Sequence, residues 1–175
     1  MTESTVNNPF NGPLETGVRS LAILTAAFPM AMDLQRLVEM DYLVVHSEDA
    51  RGPSSLHAPL PLRAGELLVR RGLIESGLKL MVRRGLLSRI ASHEGFSYIA
   101  TDAAQPFISS LTSNYSLMLL DRAKWAYETY GSTPTDEVRK ITHRIFRWTS
   151  EFQALEQRGL SLIHISEPTR RYAIS

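Results

Sequence analysis

Apolar residues recur at helical spacing from Leu14 through Val18, Leu21, Ile23, Leu24 and Phe28, and the pattern stops at Pro29. A first helix is predicted there. A second is predicted to start near Met32 or Asp33, with Leu34, Leu37, Val38, Tyr42 and Val45 on a mostly apolar face. Its last stretch, DYLVVH, also suits a strand, because Tyr and Val favour extended backbone. Residues Met1–Pro13 hold three Asn and two Pro and read as an arm rather than an element. Ser47–Pro61, with Gly52, Pro53, Pro59 and Pro61, reads as a long loop, either a plain surface excursion or a functional segment.

The pattern changes character over Leu62–Thr101. Arg63–Arg70 reads as a short helix and Gly72–Arg84 as a longer one. On a 100° wheel the longer helix places Ile74, Leu78, Met81 and Val82 together as a core face. Glu75, Ser76, Lys79 and Arg83 form a polar stripe, and Leu73, Gly77 and Leu80 a third side. Gly85 stands where a helix C-cap needs it. Leu86–Ala91 and Phe96–Thr101 are β-prone, joined by the turn Ser92-His93-Glu94-Gly95. Two helices followed by a hairpin make a winged helix-turn-helix.

Beyond it, Ala103–Tyr130 reads as one helix, with Pro106 in its first turn, and Asp136–Gln157 as the last. The expected architecture is mainly α with a small antiparallel β-wing, a winged helix-turn-helix flanked by N- and C-terminal helices in a single domain over residues 14–159. The final segment 160–175 has a different origin in this reading. LSLIHISEPTR, Leu160–Arg170, matches a translation of the transposase-end adapter used in sequencing libraries, so residues 160–175 are expected to be read-through.

Composition changes little of this. With 43% hydrophobic and 21% charged residues the 175-residue chain is ordinary for a globular domain. The absence of cysteine removes disulfides, thiolate nucleophiles and Cys-based zinc sites. The apolar run Leu21–Met32, broken by Thr25 and Pro29, is too short to cross a bilayer. No Lys or Arg precedes it in the first fifteen residues, so a signal peptide is not expected and a cytoplasmic protein is.

Charge is more informative locally than globally. The formal net charge is +1, yet Arg63–Arg89 carries seven cations against Glu66 and Glu75, a local +5 that leaves −4 for the rest. Arg70, Arg71, Ser76, Lys79, Arg83, Arg84 and Arg89 are the candidate binding residues, toward either a phosphate backbone or an acidic protein. The polar stripe is narrow and contains one Arg, no Asn and no Gln, which leaves little for base readout. His46, Glu48, Asp49 and His57 form a second candidate cluster, for a metal or acid–base chemistry, but their spacing fits no ligand motif. Gly65, Gly72, Gly77 and Gly85 read as helix boundaries or packing positions rather than a phosphate-binding loop. Trp125, Tyr127, Tyr130, Phe146, Trp148 and Phe152 exceed what a small core needs, and part of them suits a homodimer or partner face.

Four phrases carry a family resemblance: NPFNGPLETGVRSLAIL at Asn8–Leu24, DLQRLVEMDYLVVHSED at Asp33–Asp49, PSSLHAPLPLRAGELLVRRGLIESGLKLM at Pro53–Met81 and RWTSEFQALE at Arg147–Glu156. Together they resemble the second type of middle component of ABC-three-component systems. The resemblance implies a non-enzymatic winged-helix adaptor, without catalytic residues or cofactor. Its implied partners are an ABC-class ATPase of the SMC and DNA-repair kind and a larger C-terminal component, acting against phage or mobile DNA. The competing readings are a free-standing regulator that binds operator DNA as a dimer and, third, a small hydrolase built on His46, Asp49 and His57.

Overall fold

The computed structural model describes residues 12–57 and 66–165. Helix α1 (Pro13–Ala27) starts with proline in its first turn, where the missing N–H costs nothing. A two-residue strand β1 (Met32–Asp33) follows, and Asp33 then caps α2 (Leu34–Val45) by accepting the Arg36 N–H at 2.7 Å. The stretch DYLVVH, readable either way in sequence, belongs to α2 up to Val45. Burial decides it: every residue from Arg36 to Val45 is buried, on all sides of the helix.

Helix α3 (Glu66–Arg83) is one continuous helix, where the sequence pattern suggested a break before Gly72. A lone glycine weakens a helix interior by about 1 kcal/mol relative to alanine. Fully buried Ile74 and Leu78 outweigh that, as burying one such side chain contributes about 1.5–3 kcal/mol. The first residues of the predicted short helix, Arg63 to Gly65, lie outside the described residues. The helix pair that precedes the hairpin is therefore α2 and α3, joined across residues 46–65.

Gly85, at φ +71°, closes α3 in a Schellman motif: its N–H donates to the Val82 carbonyl and the Leu86 N–H to that of Met81, both at 3.0 Å. The wing follows as β2 (Leu87–Ser92) and β3 (Gly95–Ala100), paired antiparallel from Leu87↔Ala100 to Ser92↔Gly95. Strand β1 adds to the other edge of β3, through Met32↔Tyr98, giving the order β1-β3-β2. Three helices and a three-stranded antiparallel sheet in the order α1-β1-α2-α3-β2-β3 are compatible with a winged helix.

The predicted helix Ala103–Tyr130 is two helices, α4 (Ala104–Ser109) and α5 (Asn114–Tyr130). The sequence Ser109-Ser110-Leu111-Thr112-Ser113 offers hydroxyls that compete for the backbone. Ser113 settles it by capping α5 through the Ser116 N–H at 3.1 Å. Helix α6 (Thr135–Ile165) runs on past Gly159. Among the described residues no helix is long and apolar enough to cross a membrane.

The core lies where α1, α2 and α3 meet the sheet and α5, with Leu21, Leu24, Leu37, Leu43, Ile74, Leu78 and Leu87 all nearly or fully buried. Helices α1 and α3 cross backbone to backbone. A Cβ built on Gly77 would stand 2.5 Å from the Gly17 nitrogen and 2.8 Å from the Pro13 carbonyl oxygen, so only glycine permits this approach. The segment after α2 is fastened rather than splayed. The Ser47 hydroxyl donates to the Pro53 carbonyl at 2.8 Å, the Leu56 N–H to Val45, and Gly52 lies against the Trp125 indole with no space for a side chain. Arg122 of α5 clamps it, donating from Nε and Nη2 to the Ser54 carbonyl at 2.9 Å.

Candidate interaction surfaces

The seven residues read from sequence as one basic surface fall on two sides of α3. Ser76, Lys79 and Arg83 are exposed along its outer side, as the wheel predicts, and Arg84 is exposed at its end. Lys79 pairs with Glu75 one turn back at 3.3 Å, a solvent-screened contact that offsets part of its charge. Arg89 lies on the same face of β2 as the buried Leu87, opposite Tyr98, and is exposed toward the tip of the wing with its guanidinium 4.4 Å from the centre of the half-exposed Phe96 ring. Arg83, Arg84 and Arg89 make no ion pair among the described residues. The end of α3 and the wing thus offer three guanidiniums free of carboxylates, with the exposed Phe96 ring beside Arg89.

Arg70 and Arg71 are elsewhere. Arg70 reaches Asp41 at 3.4 Å and sits 5.7 Å from the Tyr42 ring centre, while Arg71 donates to Gln35 Oε1 at 2.9 Å. With Arg139 and His143 of α6 they border a cleft of about 230 Å³ whose apolar lining comes from Val38, Tyr42 and Phe146. The wheel for Gly72–Arg84 did not include them, nor could it show α6 against that side.

The sequence reading missed the most buried ion pair among the described residues. Arg19 donates from Nε to Asp41 Oδ1 at 2.6 Å and from Nη2 to Oδ2 at 3.2 Å, with both side chains almost wholly shielded from solvent. Burial alone would raise the Asp41 pKa; the Arg19 and Arg70 guanidiniums outweigh it and hold the carboxyl below its ordinary value. Burial opposes charge on Arg19 too, and the Asp41 carboxylate more than restores it. A signal was present. Arg19 stands beside the apolar run Leu21–Leu24 and Asp41 beside Tyr42–Val45, and a charge carried into an apolar face must find a partner.

Around this pair lie the two histidines of the second candidate cluster. His57 shares a hydrogen bond with the Tyr115 hydroxyl at 3.1 Å, and the His46 ring tilts against Tyr42 with centres 5.0 Å apart. Burial, with Arg70 and His57 nearby, lowers the His46 pKa to about 4, and burial beside Arg19 lowers that of His57. Glu48 and Asp49 instead stand exposed on the short 3₁₀ turn Ser47–Ala50. The two histidines lie near each other, His46 buried and His57 partly so, while the two carboxylates face solvent, and among the described residues no group of three His, Asp or Glu is placed to hold a metal ion.

The aromatic residues also divide. Trp125 packs on Gly52 and meets Tyr130 edge-on at 5.9 Å, and Tyr127 and Phe146 are partly buried. Trp148 and Phe152 do the opposite. They stack in parallel at 6.1 Å on the outer part of α6, 70% and 54% exposed, and Leu155, 64% exposed, extends the ridge. Ile141, Ile145, Trp148, Phe152 and Leu155 repeat at spacings of four and three, the pattern of a helix that packs along another helix.

Neither the curated proteins nor the solved structures contain a match to this chain. A family model does match, over residues 9–151, and its span takes in α1 to β3, α4, α5 and the part of α6 that bears Trp148. The chain belongs to the family described as ABC-three component (ABC-3C) system Middle Component 2.

Proposed function

We propose that this protein is a non-enzymatic adaptor that joins an ABC-class ATPase of the SMC and repair kind to the larger C-terminal component of the same system. The observation that carries the reading is the stacked Trp148–Phe152 ridge on α6, exposed in a chain whose family is defined by membership of a multi-component system. Solvent-facing aromatics in register along a helix are costly for a lone protein, and Trp and Tyr or Phe anchors dominate binding energy where helices dock. The ridge is the assembly face, and the winged helix is a docking platform that bears Arg83, Arg84 and Arg89 toward DNA or an acidic partner surface. The family resemblance extends this reading to a cytoplasmic role in defence against phage or mobile DNA. Residues 160–175 are left outside these surfaces as adapter read-through, which codons other than the adapter's across Leu160–Arg170 would refute. Co-purification with the ATPase encoded beside the gene tests the adaptor role.

A second reading keeps one supporting observation. Three arginines free of carboxylates, at the end of α3 and on the wing, also suit a free-standing regulator that binds DNA as a dimer. An isolated gene whose own promoter is retained by the protein would favour it. An adjacent ATPase gene favours the adaptor.

A further inference from the structure

The cleft between α2, α3 and α6 combines features that neither the wing nor the ridge has. Its floor is apolar, from Val38, Tyr42 and Phe146, and its rim is cationic, from Arg70, Arg71 and Arg139. The three arginines differ in what holds them. Arg70 shares Asp41 with Arg19, Arg71 is held only by the neutral amide of Gln35, and Arg139 is exposed with no ion pair among the described residues. The one carboxylate in the lining, Glu39, is buried with both oxygens taken, one by the Gln35 amide at 2.7 Å and the other by the Thr142 hydroxyl. The rim therefore has donors to spare, over a floor that is apolar apart from the Tyr42 hydroxyl.

Size narrows the occupant. About 230 Å³ lies below the range of roughly 300–1,000 Å³ that takes drug-sized ligands or cofactors, and fits a single side chain. A nucleic-acid backbone fits poorly, since it needs a line of exposed cations and gains nothing from a recessed apolar floor. We propose that the cleft seats the end of a partner protein's chain, an apolar or aromatic last residue whose side chain lies on Val38, Tyr42 and Phe146 while its terminal carboxylate meets Arg139 and Arg71. Capture of a carboxylate by an arginine fork beside an apolar pocket supplies direction from the charge and affinity from the burial. That the occupant belongs to an assembly partner rests on the adaptor reading; the chemistry of the cleft does not.

The test titrates the full chain with N-acetyl-L-phenylalanine, N-acetyl-L-phenylalaninamide and inorganic phosphate, following amide signals by NMR. The acid is expected to give saturable changes in α2, α3 and the first turns of α6, and the amide to bind about tenfold more weakly, as a lost charge-assisted hydrogen bond implies. Arg139→Gln, at an exposed position, is expected to lower affinity for the acid to a similar extent with no change in thermal midpoint. No saturation by the acid, equal binding of the amide, or phosphate binding as tightly as the acid would each overturn the proposal. Those failures beside an intact complex with the ATPase remove the cleft and keep the adaptor, while saturable binding without any complex does the reverse.

Discussion

Arg19 and Asp41, 22 residues apart on α1 and α2, form a two-pronged ion pair from which water is excluded. Together with Arg70 of α3, the pair ties the three helices of the winged-helix unit at one point. Such a pair is weak evidence of net stability, because desolvation offsets much of the attraction, but removing one partner strands the other. Asp41→Ala is therefore expected to cost about 3–5 kcal/mol in denaturant unfolding. Arg19→Met combined with Asp41→Leu is expected to cost less than either single change. Additive losses in that double variant would count against the account.

The pH dependence of stability follows chiefly from His46, with a contribution of the same sign from His57. The folded pKa of His46, about 4, lies below the ordinary 6.5, so the native state resists a proton that the unfolded chain accepts. The contribution is fully present above about pH 6.5 and is lost as pH falls toward 4. It amounts to about 3 kcal/mol, since each tenfold difference in proton affinity between the folded and unfolded chain is worth about 1.4 kcal/mol. The folded Asp41 pKa is also depressed, so its share is present above the unfolded value of 3.8 and disappears as pH falls below it. Urea midpoints between pH 7 and 4 should therefore decline, and His46→Gln should flatten the slope above pH 4.5. An unchanged slope in that variant would assign the decline to other groups.

Two glycines of α3, five residues apart, should respond with opposite sign. Gly77→Ala drives a methyl into the α1 backbone at Gly17 and Pro13, which cannot yield as a flexible side chain does. A loss of about 1–3 kcal/mol is expected. A Cβ at Gly72 meets nothing within 4 Å, so Gly72→Ala should stabilise by up to about 1 kcal/mol. Thermal unfolding of the two variants checks both the crossing and the continuity of α3. Destabilisation by Gly72→Ala would restore the helix break.

That break shows where sequence reading reaches its limit. The hairpin, the Gly85 cap, the start of α2 near Asp33 and the outward face of Ser76, Lys79 and Arg83 are local patterns, and all of them are legible in the chain. The continuity of α3 is not, because it turns on whether the packing of Ile74 and Leu78 outweighs one glycine. The separation of Arg70 and Arg71 from the other cations is hidden for a different reason: α6, which covers that side, lies some 70 residues later. His46 and His57 looked available as ligands because sequence shows residue type without burial.

The outer side of α3 is tested by salt. Lys79→Ala with Arg83→Ala is expected to lower the dependence of log K on log salt by about 0.9 per lost phosphate contact, if DNA is the partner of this surface. Arg70→Ala, in the cleft, should leave that slope unchanged. Equal retention of a DNA duplex at low salt by the wild type and the Lys79/Arg83 variant would remove DNA from the account of α3 and leave it a protein surface.

The adaptor role itself stands or falls on one measurement. The chain, expressed with the ABC-class ATPase and C-terminal component of its own gene cluster, is purified by a tag on the ATPase and sized by light scattering. A stoichiometric complex is expected with the wild type. Trp148→Ala with Phe152→Ala, which removes only exposed side chains and should leave stability within about 0.5 kcal/mol, is expected to abolish it. No complex with either component, or a complex indifferent to the loss of both aromatics, would contradict the assignment of α6 as the face on which the system assembles.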